Sequence, residues 1–473
     1  MDYRLILPEI VLFVWALLLL FLNLKARADG TRLTGIMALV GLLLSFILAM
    51  TTPDGALFGK SFISDPYARA FKIIFILAAA LTIIGSIDFA AKRLSHTGEF
   101  YSLILLCTTG MMFLASAGEL VSLYVALELS TISLYILAAF LKKDLKSTEA
   151  GLKYLILGAA SSGILLYGLS LLYGLTGTTV LDEIAYRLFM GPGTTMAAVF
   201  AIVMFVAGFG FKLAAAPFHM WAPDVYEGAP TPVTAFLSVA SKAAGLVALV
   251  RIFFNSLLIA KSEWVVVIEV VAVLAMIVGN VIALLQKNIK RMLAYSSIAQ
   301  VGYVLVALSA GNELSVVSMM VFLMAYLFAN IGAFTVVIAV SNITGSDSIE
   351  DYCGLWKRKP SLAIMMTIFM LSLVGIPLTG GFIGKYFLFG AAVKEGLYGI
   401  VMVAILTSVI SLFYYMNVVR VMMFNPPKTE EPIAIPGLLK IGLIASLVMV
   451  LVIGILPEYF YKWGMTAATV FHF

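Results

Sequence analysis

The sequence GFGFKLAAAPFHMWAPDVYEGAPTPVTAFLSVASKAAG, from Gly208 to Gly245, interrupts a chain that is otherwise rich in long apolar runs. Its ionisable residues are Lys212, His219, Asp224, Glu227 and Lys242, and its prolines are Pro217, Pro223, Pro230 and Pro232. Proline removes a backbone donor and breaks a helix. At membrane depth a broken helix is tolerated only inside protein or beside a wet cavity, and ionisable residues there mark ion paths. The stretch therefore predicts a charge-conducting site inside a membrane protein.

The composition of the whole chain agrees with a membrane location. Of its 473 residues, 62% are hydrophobic and 12% are charged, whereas a soluble domain has about 25% charged residues. Apolar runs of about 20 residues, long enough to cross a bilayer as helices, recur from end to end. The net charge of +5 gives no indication of nucleic acid binding. Two distant cysteines and three histidines disfavour an iron–sulfur cluster, a structural zinc or a bis-histidine haem held by this chain alone.

The apolar runs predict an all-α polytopic membrane protein with about 14 transmembrane helices. Helix 7 is expected to break after residue 216 and helix 12 around residues 377–381. The breaks lie five helices apart and have similar flanks, Gly208–Lys212 and Gly381–Lys385, so we expect two inverted five-helix repeats, helices 4–8 and 9–13. The expected segments are 1–97 with three helices, 98–256 and 257–425 with one repeat each, and 426–473 with the last helix.

The distribution of basic residues predicts the orientation. Loops after odd-numbered helices contain Lys25, Arg27 and Arg32; Lys92 and Arg93; Lys142, Lys143 and Lys146; Lys287, Lys290 and Arg291; and Lys357, Arg358 and Lys359. The loops on the other side have few basic residues. Because cytoplasmic loops of membrane proteins are enriched in lysine and arginine, we expect these loops in the cytoplasm and both termini outside.

Several charged residues lie well inside the predicted helices. Glu128 is midway along helix 5 and Lys242 is far from both ends of helix 8, while Lys212 and Lys385 flank the two breaks. An isolated charge at the centre of a membrane helix costs roughly 2.5–3.5 kcal/mol on insertion scales, which favours a functional role. The alternative for Glu128 is a neutral, hydrogen-bonded structural residue. Lys153, one turn into helix 6, also belongs to the set, although its side chain could instead reach the interface.

A glutamate next to a lysine would form a two-state element. A carboxylate about 4 Å from a lysine, at an effective dielectric constant of about 20, stabilises the charged lysine by about 4 kcal/mol. Bringing Glu128 to Lys212, or withdrawing it, would therefore decide whether the lysine holds its proton. The sequence does not show the distance between them.

Supporting polar residues are expected on helix 10 and at the first break. Tyr295, Ser296 and Gln300 lie on helix 10, and the two readings are a water-wire lining or interhelical hydrogen bonds. His219 and Asp224 are expected to bridge the break, in a functional or a structural role. Four other charges, assigned to helix ends or partner-facing surfaces, are Glu9, Asp88, Arg251 and Glu269.

Two motifs resemble one protein family. PFHMWAPDVYEGAPTPVT, residues 217–234, resembles the signature of subunit N, also called subunit 2, of proton-pumping NADH:quinone oxidoreductase (respiratory complex I). KRMLAYSSIAQVGY, residues 290–303, resembles the motif shared by the antiporter-like subunits of that enzyme. The likeness covers the whole chain. The DVYEGAP form of the first motif, and Lys385 where subunit M usually has a glutamate, favour the subunit N group.

The resemblance implies a role for each buried charge. Glu128 would be the partner of Lys212. Lys212 and Lys242 would be the half-channel and central-axis lysines. Lys385 would be the exit-side lysine, and Lys153 would belong to the same polar axis. The chain would hold no cofactor, since NADH, FMN, iron–sulfur clusters and quinone belong to other subunits. Its surroundings would be the bilayer of a bacterial inner membrane and other membrane-arm subunits, with subunits K and M as neighbours.

Two other functions stay open at this point. The first is a subunit of a multi-subunit cation/proton antiporter, which shares the lysines and which the Val225-Tyr226-Glu227-Gly228 sequence disfavours. The second is a membrane scaffold whose charges only hold an assembly together. Central charges spread over several helices disfavour a scaffold, because it gains little from them.

Overall fold

The structure is a computed structural model that describes residues 2–23, 31–190, 195–427, 433, 435–471 and 473. Lys25, Arg27 and His472 lie outside the described residues. The α-helices within these ranges are α1 Leu7–Asn23, α2 Thr31–Thr51, α3 Pro66–Arg93, α4 Thr97–Ala115, α5 Leu120–Ala138, α6 Leu145–Thr176, α7 Leu181–Met190, α8 Met196–Leu213, α9 Trp221–Gly228, α10 Thr231–Phe236, α11 Lys242–Arg251, α12 Lys261–Ala283, α13 Ile289–Ala310, α14 Glu313–Thr344, α15 Leu355–Arg358, α16 Pro360–Val374, α17 Gly380–Lys394, α18 Tyr398–Phe424, α19 Gly437–Ile455 and α20 Pro457–Ala468.

The number of membrane crossings agrees with the prediction. In the described part of the chain, 13 helical stretches are long and apolar enough to span a bilayer. One of them, Thr231–Ser256, joins α10 and α11 through the π-helical turns Leu237–Ser241 and Ile252–Ser256. Helices α16 and α17 form a further, interrupted crossing. Together these make the 14 crossings that the apolar runs predict.

Both predicted helix breaks are present. Helix α8 ends at Leu213, where Ala214 has a left-handed backbone (φ 56°), and α9 begins only at Trp221. Helix α16 ends at Val374 before Gly375 (φ 93°), and α17 begins at Gly380. Proline cannot continue a helix and left-handed residues terminate one, so the local sequence explains both interruptions.

The loops after crossings 3, 5, 9 and 11 gather around one cavity at one end of the molecule, which we call the basic end. There Asn288 and Ser348 form a β-bridge, and Lys290 reaches Asp347 at 3.5 Å. At the opposite end, a β-bridge joins Glu119 to Val180. These basic loops therefore lie together at one end of the fold.

The most deeply buried helices form the centre of the molecule. Every residue in the most apolar window of Thr231–Ser256 and of α14 is buried, and 94% of that window is buried in α13. The corresponding share is 39% in α6, α12 and α18, which lie outside. Helices at equivalent places in the two predicted repeats pack closely. In the first repeat α4 packs on α5 and α6 on α8, and in the second repeat α12 packs on α13 and α14 on α17. The division into two inverted five-helix repeats stays a prediction.

Some short elements were not predicted from the sequence. Strands β1 (Gly55–Leu57) and β2 (Phe62–Ser64) pair antiparallel between α2 and α3. Helices α7 and α20 are too short to cross a bilayer. An apolar-run search misses such elements. The buried residues Leu181, Ile184 and Leu188 of α7 follow helical spacing and would have indicated an amphipathic helix.

Candidate proton-transfer site

Glu128 and Lys212 lie next to each other inside the membrane-spanning bundle. The Lys212 Nζ is 3.7 Å from the Glu128 Oε1. Ser162 on α6 lies between them: its hydroxyl donates to Glu128 Oε1 at 2.6 Å and accepts from Lys212 Nζ at 3.0 Å. Lys212 also donates to the Tyr135 hydroxyl at 3.3 Å. The pairing that the sequence left open is therefore present, with a serine as a direct bridge.

The first helix break positions Lys212. At the end of α8, the Trp221 indole donates to the carbonyl of Phe211 at 2.9 Å, and the same carbonyl also accepts from the backbone N–H of Ala214 at 2.9 Å. Gly208 and Gly210 allow Leu165 and Phe218 to pack directly against the α8 backbone, and a side chain at either glycine would overlap them. The end of α8 is thus enclosed by protein, which is the condition for an interrupted helix at this depth.

The two members of the pair differ in their exposure. The side chain of Lys212 is 2% exposed, whereas that of Glu128 is 21% exposed. Glu128 therefore opens toward the outer surface formed by α5 and α6, while Lys212 faces the interior.

Lys242 occupies the centre of the bundle, directly after the first π-helical turn of its span. Its Nζ donates to both the carbonyl oxygen and the hydroxyl of Ser297, each at 2.7 Å. Among the described residues, no carboxylate lies within 4 Å of this ammonium group. π-Helical turns are rare and frequently mark functional sites. Lys242 is thus held by neutral oxygen atoms, unlike Lys212.

Lys385 binds at the second helix break. Its Nζ donates to the carbonyl of Val374, the last residue of α16, at 2.8 Å, and to the Ser408 hydroxyl at 2.9 Å. It also lies 4.5 Å from the centre of the Tyr303 ring. The lysine therefore satisfies a carbonyl that the interruption frees, and the ring face stabilises its charge.

The predicted residues of helix 10 lie on α13 and contact different partners. Gln300 donates to the carbonyl of Leu373 at 2.8 Å, and the Ser296 hydroxyl donates to its own helix at Leu293. The ring of Tyr295 is 6.5 Å from that of His219, which lies in the first break. Gln300 thus faces the second break and Tyr295 the first. Whether they line a water path stays a prediction.

Asp224 and Lys153 belong to a second cluster, at the basic end. Lys153 Nζ contacts Asp224 at 2.9 Å and Glu149 at 2.7 Å, and its side chain is 42% exposed. Arg291 joins Asp224 at 2.8 Å to Glu227 at 3.0 Å. The structure therefore separates the predicted site residues: Glu128, Lys212, Lys242 and Lys385 are buried in the bundle or its wall, and the Lys153–Asp224 pair is solvent-facing.

The two carboxyl groups of α9, which lies outside the spans, have perturbed pKa values. Partial burial raises the pKa of each carboxyl, but hydrogen bonds from Lys153 and Arg291 to Asp224, and from Lys146 and Arg291 to Glu227, outweigh burial. The pKa of each carboxyl is consequently lowered. Both groups are therefore charged at neutral pH and link α6, α9 and α13.

Replacing Asp224 by asparagine should weaken this link slightly. The unfolded carboxyl has a pKa near 3.9, and the folded one is lower, so its stabilisation is complete above about pH 4 and disappears as the pH falls further. We expect a loss of about 1 kcal/mol or less at pH 7, because the pairs are partly solvated. Thermal unfolding at pH 7 and below pH 4 checks this. Asp182→Asn, in an exposed pair with Lys60 at the opposite end, is the control. A loss of stability in Asp224→Asn that is as large below pH 4 as at pH 7 would contradict this prediction.

Sequence reasoning missed two buried ion pairs. Glu9 and Arg251 lie at helix ends, as one of the two expectations has it, and each forms an ion pair inside the chain. Glu9 contacts Lys72 at 2.6 Å, and Arg251 contacts Asp65 at 2.8 Å. Lys72 could have been found as a lone charge in an apolar run, since such a charge requires a partner.

Comparison with known proteins identifies the family. Residues 117–411 match the family described as NADH:quinone oxidoreductase/Mrp antiporter, transmembrane. NADH-quinone oxidoreductase subunit N of Moorella thermoacetica is 44% identical over 473 residues, which cover 99% of both chains. A chain of respiratory complex I from Thermus thermophilus with bound aureothin has a TM-score of 0.83 and 32% identity, over 96% of this chain and 98% of that one.

A chain of the Mrp complex from a Dietzia strain shares the fold, with a TM-score of 0.88 over 100% of this chain and 98% of that one. Its identity of 20% shows the fold alone. The family match spans more than half of this chain, and the Moorella relative matches nearly all of it. The chain therefore belongs to the NADH:quinone oxidoreductase/Mrp antiporter family and, within it, to the subunit N group.

Proposed function

We propose that this chain moves protons across the membrane as an antiporter-like subunit of a NADH:quinone oxidoreductase complex. The observation that supports this most is the Glu128–Ser162–Lys212 cluster beside a helix break inside the bundle. At 3.7 Å, and with an effective dielectric constant of about 20, the glutamate stabilises the lysine charge by about 4 kcal/mol. Moving the glutamate is enough to change whether the lysine holds a proton.

The proposed route passes from Lys212 through Lys242 to Lys385. Each lysine already binds hydroxyl groups that can accept and donate protons, at Ser162, Ser297 and Ser408 respectively. Helices α8 and α11 pack closely near the first two lysines. A side-chain carbon added at Gly245 on α11 would touch Leu213 and Lys212 on α8. We propose that rearrangements of side chains or water connect the three groups.

Protons are proposed to enter from the basic end. A cavity of about 490 Å³ opens there between the loops. Its ionisable lining residues are Arg93, Asp144, Lys146, Glu227, Lys287, Lys290 and Asp347. The positive-inside rule assigns this end to the cytoplasm, which puts both termini outside the bacterial inner membrane.

The surface of α5 and α6 is the proposed contact with a neighbouring membrane subunit. Glu128 is partly open there, and a charged group at membrane depth does not face lipid without large cost. An apolar groove of about 350 Å³ lies on the same surface, lined in part by Leu120, Tyr124, Leu166 and Tyr173. We propose subunits K and M as neighbours, one on this face. The redox cofactors and quinone are proposed to bind other subunits.

Glu128→Gln is the test of this function. Glutamine keeps the shape of the side chain and an oxygen that accepts from the Ser162 hydroxyl. It removes the negative charge that lies next to Lys212. We expect proton pumping by assembled complexes in membrane vesicles to fall by about tenfold or more, because a large part of roughly 4 kcal/mol of coupling is lost. Glu149→Gln, an exposed glutamate on the adjacent helix, is the control. Pumping equal to the control would contradict the proposal.

Cation/proton exchange is the second candidate, because the Mrp complex has the same fold. The same vesicles distinguish the two functions. Proton movement driven by quinone-linked oxidation and insensitive to external Na⁺ supports the first function. Proton movement that requires a Na⁺ gradient and no electron donor supports the second.

A further inference from the structure

Two residues that each have an unpartnered buried polar atom line one small cavity between α13, α14 and α16. The Gln300 Oε1 and the Tyr326 hydroxyl have no hydrogen-bond partner among the described residues, although the residues are only 2% and 5% exposed. Both residues line a cavity with about 10 Å³ of room for the centre of a water molecule. Ser372 and Gly381 form another part of its wall. A polar cavity of about this size holds one water.

We propose that this cavity binds one water molecule, held by Tyr326 and Gln300, which passes protons between Lys242 and Lys385. The inference rests on the proposed function and adds to it a water site and a positioning residue, Tyr326. The water accepts a proton on one lone pair while releasing another proton from its opposite side, so it is regenerated in each transfer.

The side of the cavity toward Lys242 is formed by Tyr326. Ser297, which accepts a hydrogen bond from Lys242, is among the polar neighbours of the Tyr326 side chain. The Tyr326 ring stacks parallel to that of Phe322, with centroids 5.9 Å apart and an interplanar angle of 8°. This stacking fixes the direction in which the hydroxyl points.

The side toward Lys385 is formed by Gln300 at the second helix break. Its Nε2 donates to the carbonyl of Leu373 and to the Tyr415 hydroxyl, which leaves Oε1 for the cavity. The next carbonyl along the chain, that of Val374, accepts from Lys385. Gln300 and Lys385 therefore bind adjacent carbonyls at the end of α16, and the cavity lies beside them.

Tyr326→Phe tests this proposal in the assembled complex. The variant removes one oxygen and keeps the stacked ring. Tyr101→Phe is the matched control, because it also removes a buried hydroxyl without a described hydrogen-bond partner, but from α4, away from the three lysines. The measurements are cryo-electron microscopy density at the cavity, the rate of proton pumping in vesicles and its solvent deuterium isotope effect.

We expect density within hydrogen-bond distance of Tyr326 and Gln300 in the wild type and none in Tyr326→Phe. Pumping by Tyr326→Phe should fall roughly three- to tenfold, the usual effect of losing one hydrogen bond, with an altered isotope effect. Wild-type maps that show other buried waters but none here overturn the proposal, as does pumping equal to Tyr101→Phe. If Glu128→Gln stops pumping while Tyr326→Phe does not, only the water site is wrong. If neither variant changes pumping, the proposed function itself fails.

Discussion

Lys212→Ala is expected to abolish proton pumping, and with it quinone-linked oxidoreductase turnover, in complexes that still assemble. The substitution removes the Lys212 ammonium group, which donates to Ser162 and pairs with the negative charge of Glu128. In the wild type, the interaction between Glu128 and Lys212 is worth about 4 kcal/mol, which corresponds to roughly a thousandfold change in the protonation equilibrium of Lys212. The alanine variant has no such group to protonate. Proton pumping in membrane vesicles and oxidoreductase rate, measured on the same preparation, check this result.

Two further variants separate the charge of Lys212 from its volume. Lys212→Met keeps most of the buried volume and should be as inactive as the alanine variant. Lys462→Ala removes an exposed lysine that pairs with Glu458 on α20, away from the proposed proton path, and it should pump nearly normally. Normal pumping in Lys212→Ala would show that this lysine is structural. Activity restored by methionine would show that only packing at the helix break matters.

Glu9→Leu is expected to destabilise the protein by about 3–5 kcal/mol, because it leaves the Lys72 charge buried and unpaired. The side chains of Glu9 and Lys72 are 0% and 3% exposed. The double variant Glu9→Leu/Lys72→Met should regain most of the loss, since apolar pairs of similar volume replace buried ion pairs at little cost. Thermal unfolding of the purified complex and its assembly level in membranes measure both effects.

The exposed pair of Glu458 and Lys462 on α20 is the matched control for this cycle. Its side chains are 73% and 71% exposed. Glu458→Leu should therefore change stability by about 1 kcal/mol or less. If Glu9→Leu were equally mild, the buried pair would not hold α1 on α3. If the double variant were as unstable as the singles, packing and not charge would determine the loss.

The sequence predicted the crossings and both breaks because each depends on local chemistry. An apolar run of sufficient length becomes a membrane helix whatever its partners are. Pro217 and the residues around Gly375–Gly381 interrupt helices through their own backbone properties. The β1–β2 hairpin and α7 were missed because both are too short for a search of apolar runs, and β2 also pairs with the distant residue Ala117.

The site was predicted less completely, because its geometry depends on contacts between helices. Lone charges in apolar helices identified Glu128, Lys212, Lys242 and Lys385. Serine is common in membrane helices, and nothing in the local sequence distinguishes Ser162 as the bridge, Ser297 as the acceptor for Lys242 or Tyr326 at the cavity. Lys153 was grouped with the central lysines because it lies one turn into helix 6, and the family resemblance implied the same polar axis. Its contact with Asp224 depends on the direction of α9 after the break, which no local pattern specifies.

The hydrogen bond from Lys385 on α17 to the last carbonyl of α16 would couple the protonation of this lysine to the contact between the two helices. A charged ammonium forms a hydrogen bond roughly twice as strong as a neutral amine does. If Lys385 exchanges protons as proposed, each loss of a proton would weaken this bond between α17 and α16, and each gain would strengthen it. The helix interruption and the charge of Lys385 would then be coupled, so that a displacement of α16 relative to α17 would change the proton affinity of Lys385.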